Sequence, residues 1–309
     1  MKPQVLILTG PTAVGKTELS IALAKRFGAE IISADSMQIY QGMNIGTAKI
    51  TPQEMQGVVH HMLDIVPVTH SYSVAEYQSA AFSLIDRLLQ QKKLPMVVGG
   101  TGLYIHSLMY DVDFSSAAAD TSLRKTLEAL SNEELHERLQ QLDAASAARI
   151  HQNDKKRMIR RLEVLAHGCS TEFDFRKKND RYDFILIGIT DQRDVLYQNI
   201  NRRVDQMVAM GLCDEARLLY DRYGEALTAL KAIGYKEWIP YFQGSATKAE
   251  AIEAIKQNTR RYAKRQLTWF RREEDITWFD KSRLAAPDAL FSEITAYLEQ
   301  RMNEYGTES

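Results

Sequence analysis

Residues 10–17 read GPTAVGKT, so Gly10, Pro11, Thr12, Ala13, Val14, Gly15, Lys16 and Thr17 fit the phosphate-loop pattern G-x-x-x-x-G-K-[ST]. A backbone of this kind turns its N–H groups, and the N-terminus of the helix that follows, toward an anion. Lys16 adds a point charge and Thr17 an oxygen for Mg²⁺. The chemistry this permits is a grip on two linked phosphates. A second candidate is Asp35, in the run DSMQIY. A carboxylate near a diphosphate repels it unless Mg²⁺ intervenes or the carboxylate has another task, and taking a proton from an incoming nucleophile is such a task. The plain alternative is N-capping by Asp35 or Ser36. A nucleotide hydrolase or kinase needs an acidic residue closing a buried strand to hold Mg²⁺. The run PMVV ends instead in GGTG, which leaves Asp64 and Asp191 as substitutes. His60 and His61 are adjacent, so they point apart on a strand and share no helix face, which argues against metal ligation. Met37, Met43 and Met62 read as packing.

The elements that must position these groups alternate. QVLILT (4–9) is an apolar run entering the glycine loop, and TELSIALAKRFG (17–28) follows with helical periodicity and a glycine stop. AEIISADS (29–36) reads as a second buried strand with Asp35 at its end. Residues 75–93 read as a helix, and LPMVVGGTG (94–102) as a third strand breaking into a turn. Buried strands alternating with helices imply an α/β fold, a parallel sheet of the phosphate-loop kind flanked by helices. Sites in such sheets gather at the carboxyl ends of the strands, so the turns at 10–17, 35–38 and 99–102 are expected to converge. Residues 114–178 differ: they are Ala, Gln, Glu and Lys/Arg rich, with a capping-box start at Ser131 and Glu134. They read as a helical insertion, leaving 1–113 and 179–309 as the core. After a strand within YDFILIGIT (182–190) the chain reads as mostly helical, with a frayed end from 303.

No run approaches eighteen uncharged apolar residues, so no membrane span is expected. Two cysteines, Cys169 and Cys213, are too few for a disulfide framework or a cysteine zinc site, and a reducing cytoplasm is the expected compartment. The net charge of −1 alone argues against a nucleic-acid binder, but it averages over clusters. Seven basic residues and no acidic one lie between Lys256 and Arg272, and KKRMIRR (155–161) holds five more. Lys256, Arg260 and Lys264 are spaced one helical turn apart, with Tyr262, Trp269 and Phe270 interleaved. Phosphate contact is the favoured reading of that stripe, and solubilising surface the plain one.

GPTAVGKT, DSMQIYQGMNIGTAK, HHMLDIV, VGGTGLYI, NRRVDQMVAMGL, AIGYKE and YAKRQLTWFRR occur in the order and spacing of the bacterial tRNA dimethylallyltransferases, which this chain resembles from residue 4 to about 280. Gln41 and Asn44 depart from the family's Arg and Asp, and 168–178 fits loosely. The resemblance implies dimethylallyl diphosphate on the loop, Mg²⁺ as cofactor, and the N6 amine of adenosine 37 in the tRNA anticodon stem-loop as acceptor. It implies Asp35 as general base and Lys16, Arg203 and Thr101 as its catalytic companions. It places Ser36, Met37, Gln38, Arg124, Lys156, Arg157, Arg160, Lys231, Gly234, Tyr235, Lys236, Arg260 and Lys264, with Asp35 and Thr101, against tRNA, Gln38 reading the extruded base. A monomer is expected. Two other classes stay open on the residues alone: a phosphate-loop kinase or NTPase, and an RNA-binding module with a vestigial loop.

Overall fold

Short runs of β-branched and aliphatic residues bounded by Gly and polar turns build the sheet. The computed structural model describes residues 2–112, 121–166, 177–284 and 289–304. Among them the strands are β1 (Gln4–Thr9), β2 (Ala29–Ala34), β3 (His60–His61), β4 (Leu94–Gly99), β5 (Asp183–Thr190) and β6 (Thr277–Asp280). They pair in the order β3-β2-β4-β1-β5-β6, every pair parallel. Such a sheet is covered on both faces, which is why β1 reads as a near-continuous apolar run and every residue of β2, Glu30 and Ser33 included, is buried. The strands β3 and β6 escape the sequence pattern. The first is two residues long, and the second, TWFD, is half-buried at the sheet edge with no alternation to mark it.

The helices of the same unit are α1 (Lys16–Phe27), α2 (Pro52–Met55), α3 (Val74–Gln90) and α4 (Gly102–Met109) before the insertion. The insertion contributes α5 (Thr121–Glu128), α6 (Asn132–Leu142), α7 (Ala144–Arg149) and α8 (Lys155–Ala166). After it come α9 (Arg193–Ala209), α10 (Leu212–Tyr223), α11 (Ile239–Phe242), α12 (Lys248–Phe270) and α13 (Ala289–Glu304). Gly28 in the left-handed region closes α1 by returning its N–H to Ala24. The reciprocal Ser73–Glu76 and Thr247–Glu250 bonds start α3 and α12. One apolar core joins the sheet to α1, α9 and α13, with Leu6, Leu8, Ile31, Met96 and Ile187 at its centre. A second, around Tyr235 and Trp238, joins α9, α10 and α12 to the 37–45 segment.

The chain divides into two compact units, Met1–Met109 with Asn179–Ser309, and Tyr110–Lys178. The second begins a little before the expected residue 114, a position that itself lies outside the described residues. It has a small core of its own, Leu127, Leu135, Leu139, Met158, Ile159 and Leu162, and Ser131 and Glu134 form the expected capping box of α6. Cys169, most of the loosely fitting 168–178 stretch and the final residues from 305 also lie outside the described set. No described helix is long and apolar enough to cross a membrane.

Candidate active site

Strand register brings the three turns together. Thr9 and Ala34 both pair with Gly99, so β1, β2 and β4 end level and their following loops leave one edge of the sheet side by side. The approach is close: a Cβ on Gly99 would lie 2.3 Å from the Ala34 carbonyl, and one on Gly10 would lie 2.5 Å from that of Ile189. Glycine is required at both positions by contact alone. Gly15 and Ala13 adopt left-handed backbone, φ 100° and 63°, which curls the loop over the start of α1.

Lys16 folds back across this loop, its Nζ donating to the carbonyls of Gly10 (2.9 Å) and Pro11 (2.8 Å). Burial, then the Arg203 guanidinium, lowers its pKa from 10.5 to about 7, with the Asp35 carboxylate opposing. A half-charged lysine beside a diphosphate loop is one whose charge a bound anion would restore. Arg203, on α9, is itself half-buried and its pKa is lowered by that burial, with Glu54 opposing.

Asp35 leaves β2 directly into a turn rather than a helix, its Oδ1 accepting the Met37 N–H at 2.9 Å. The capping alternative thus describes its local geometry. Burial raises the carboxyl pKa above its ordinary value, opposed by the Met37 and Gln38 N–H groups and by Lys16 and Lys49. That direction makes a better proton acceptor once ionised. Thr101 stands on the adjacent turn; its N–H donates to Ala34 and its hydroxyl accepts the Ser36 N–H at 3.1 Å. Gln38 donates to the Thr47 carbonyl at 3.1 Å. Asp64 pairs with Lys49 at 2.5 Å, and Asp191 accepts the neighbouring Gln192 N–H at 2.8 Å. His60 bonds to the Val58 carbonyl and His61 to Glu30. Met43 and Met62 are buried as packing residues, whereas Met37 lines a cleft.

The residue that sequence reasoning missed is Gln266. Buried on α12, it accepts the Thr12 N–H (2.9 Å) and donates to the Gly100 carbonyl (3.0 Å), tying the phosphate loop to the GGTG turn. The aromatic residues interleaved with the basic stripe lie on the same face of α12 as Gln266. Tyr262 bonds to Thr101 and Gln266, Trp269 donates to His106 at 3.0 Å and covers Gly102, and Phe270 is fully buried. They turn inward together because 262, 266 and 269–270 repeat at helical spacing, and of them Tyr262 and Gln266 line the cleft. Burial first, then Asp35, pushes the Tyr262 hydroxyl up to about 12. Replacing Gln266 with Leu strands an N–H and a carbonyl without partners. Each costs about 1–3 kcal/mol if buried, so thermal unfolding of Gln266→Leu is expected several degrees lower than wild type. An unchanged midpoint would show that water replaces both bonds.

Two adjoining clefts share Thr12, Asp35 and Arg203. One, of about 790 Å³, is lined by Lys16, Thr17, Gln38 and Gln266; the other, of about 1160 Å³, by Ser36, Met37, Lys231, Gly234, Lys236 and Arg265. The proposed tRNA residues fare differently. Lys231 and Lys264 are exposed, and Lys236 lies 3.8 Å from Glu237. The Tyr235 side chain is fully buried and its hydroxyl donates to Glu215 at 2.6 Å, a bond that holds its turn. Arg260 is already engaged by Glu253 (2.8 Å) and Asn201 (2.7 Å), and Lys256 by Asp205 (2.6 Å). Among the described residues, the outward cations of the stripe with no ion pair are Arg261, Lys264, Arg265, Arg271 and Arg272. Within the insertion, Arg124 and Arg160 both pair with the buried Glu163, Arg157 with Asp154, and Lys156 is exposed.

The family model described as IPP transferase matches residues 38–273. Curated relatives include the tRNA dimethylallyltransferase of Anoxybacillus flavithermus, 48% identical with 98% of each chain covered, and that of Bacillus subtilis, 50% identical over 90% of this chain and 91% of the relative. Among solved structures, the tRNA isopentenylpyrophosphate transferase of Bacillus halodurans superposes with a TM-score of 0.76 at 44% identity, covering 98% of each chain. A eukaryotic dimethylallyltransferase acting on tRNA gives 0.83 at 27% identity, over 98% of this chain and 80% of that one. With a matching model across most of its length and close relatives across nearly all of it, the chain belongs to the IPP transferase family.

Proposed function

We propose that the chain transfers the dimethylallyl group of dimethylallyl diphosphate to N6 of adenosine 37 in tRNA, releasing pyrophosphate. The observation that carries the assignment is that Lys16, Arg203 and Asp35 line one cleft at the strand ends, two cations and a base. The diphosphate lies on the N–H groups of residues 13–17, the Thr12 N–H being held by Gln266, and Lys16 and Arg203 neutralise the charge that grows on it. N6 attacks the allylic carbon, the carbon–oxygen bond breaks, and its electron pair leaves with pyrophosphate. The N6 proton passes to Asp35, whose raised pKa suits it to hold that proton. Thr101, bound to the Ser36 N–H and to Tyr262, keeps the turn beside Asp35 in place. The donor set fits Mg²⁺ without a cage of its own: the exposed Thr17 hydroxyl and the Asp35 carboxylate share the cleft, and no group of three or more His, Cys, Asp and Glu gathers as a metal site among the described residues. Mg²⁺ when bound supplies charge neutralisation of the diphosphate, with Thr17 as its protein ligand.

The wider cleft, with Lys231, Lys236 and Arg265, is the side from which the flipped adenosine enters, Gln38 reading its edge. The acceptor is the anticodon stem-loop, contacted also by Lys156 and Arg157 of the insertion. The enzyme acts as a monomer in the cytoplasm. Prenyl transfer from labelled dimethylallyl diphosphate to unmodified tRNA, with Mg²⁺ and no nucleotide, tests the assignment. Dependence on ATP, or ATP hydrolysis without prenylation, overturns it in favour of an NTPase.

Affinity for tRNA is expected to fall steeply with salt as lysines and arginines release phosphate counterions. Because Arg260 is engaged by Glu253 and Asn201, Arg261→Ala with Lys264→Ala is expected to flatten the log–log slope by roughly 1.5, and Arg260→Ala by less. Binding isotherms at four salt concentrations decide this; an unaltered slope in the double variant makes the stripe ordinary surface.

A further inference from the structure

Glu215 lies in the first turn of α10, outside both clefts, yet its carboxylate makes more polar contacts than any group in them. It accepts the N–H of Asn44 (2.9 Å), of Ile45 (2.9 and 3.1 Å) and of Gly46 (3.0 Å), together with the Tyr235 hydroxyl (2.6 Å). Three consecutive backbone donors turned on one carboxylate make the 44–46 segment a nest, closed here by a side chain from the same protein. Tyr235 seals it from the other side. A Cβ on Gly46 would lie 2.5 Å from the tyrosine ring, and one on Gly234 would lie 3.4 Å from the Gly46 carbonyl.

The two segments so joined are the ones that wall the clefts. Thr47 and Ala48, directly after the nest, line both, and the Thr47 carbonyl holds Gln38. Lys231, Gly234 and Lys236 form the opposite wall of the wider cleft. A second carboxylate, the buried Glu237, holds the same turn: it accepts the Gly234 N–H (2.8 Å) and Asn258 of α12 (2.8 Å). The hydrogen bonds of Glu215 go to residues 44–46 and Tyr235, none of them in the phosphate loop.

We propose that Glu215 is a positioning residue, which fixes the 44–48 loop against the 231–236 turn and thereby sets the width of the cleft that admits the acceptor base. The inference rests on the prenyl-transfer reading for its consequence, though not for its geometry. Charge-assisted bonds to backbone N–H groups are the strong class, and a neutral amide keeps only one acceptor oxygen. Glu215→Gln is therefore expected to loosen the nest in part and Glu215→Ala in full.

The test pairs hydrogen exchange with kinetics on the full chain. In Glu215→Gln, exchange at the amides of 44–46 is expected to rise at least tenfold while amides of β1 and β4 stay protected. Single-turnover prenyl transfer at subsaturating tRNA is expected to fall about tenfold, with pyrophosphate affinity unchanged. Glu215→Ala should be worse in both; if it does not fold, the glutamine variant alone decides. Wild-type exchange at 44–46 in Glu215→Gln, or raised exchange with wild-type transfer, overturns the proposal. A wild-type chain that transfers no prenyl group at all is a failure of the functional reading instead, and leaves the exchange result to judge the anchor.

Discussion

Asp35→Asn is expected to lower the single-turnover rate of prenyl transfer by about 10² or more while tRNA binds as before. The substitution keeps the shape and one carbonyl oxygen to accept the Met37 N–H, so the turn survives. What it removes is the proton acceptor, and a positioned base contributes about 10²–10⁴ in rate. The wild-type profile has a sign that the same group dictates. The folded pKa is raised, so the carboxylate is ionised only above that raised value, and transfer should decline on acidification sooner than an ordinary aspartate would require. Rates within a few-fold of wild type for Asp35→Asn would return Asp35 to its turn-making role.

Lys16→Ala is expected to cost about 10²–10³ in transfer, the effect of one missing charged donor on a leaving group. Its protonation gives an independent reading. At a pKa of about 7 in the free chain, Lys16 is mostly neutral at pH 8; a diphosphate beside it favours the charged form. Binding pyrophosphate at pH 8 should therefore take up close to one proton more in the wild-type chain than in Lys16→Ala, and wild-type affinity should weaken as pH rises above 7. Calorimetry in buffers of different ionisation enthalpy measures the uptake. Equal uptake in the two chains would assign the proton elsewhere.

The phosphate loop was legible because every part of it is local: strand, turn, lysine and helix are contiguous. Asp35 was legible for the same reason, closing an apolar run. Convergence of the turns followed from parallel topology, and the level strand ends at Thr9, Ala34 and Gly99 supply it. Gln266 was not legible, because a glutamine in a basic helix looks like any other polar residue until its partners, 254 and 166 positions away, are known. Glu215 escaped likewise, its three amide partners lying about 170 residues upstream. The packing of Tyr235 and of the aromatic residues of α12 was not legible either, because residue type and spacing do not show which way a side chain beside lysines turns. A charge run likewise does not show which of its members, Arg260 among them, local side chains already engage.

The bond from Gln266 to the loop has a consequence for synthesis. Thr12 is made early, and its partner 254 residues later, a gap of roughly 13–50 s at about 5–20 residues per second. Strand β1 likewise waits for β5, on the far side of the insertion, before both its edges are paired. A nascent chain on the ribosome thus carries the full anion-binding signature for most of its elongation without the clamp that holds it in shape. Diphosphate capture should switch on only as the last helices emerge, so the growing polypeptide does not sequester the metabolite that the finished enzyme consumes.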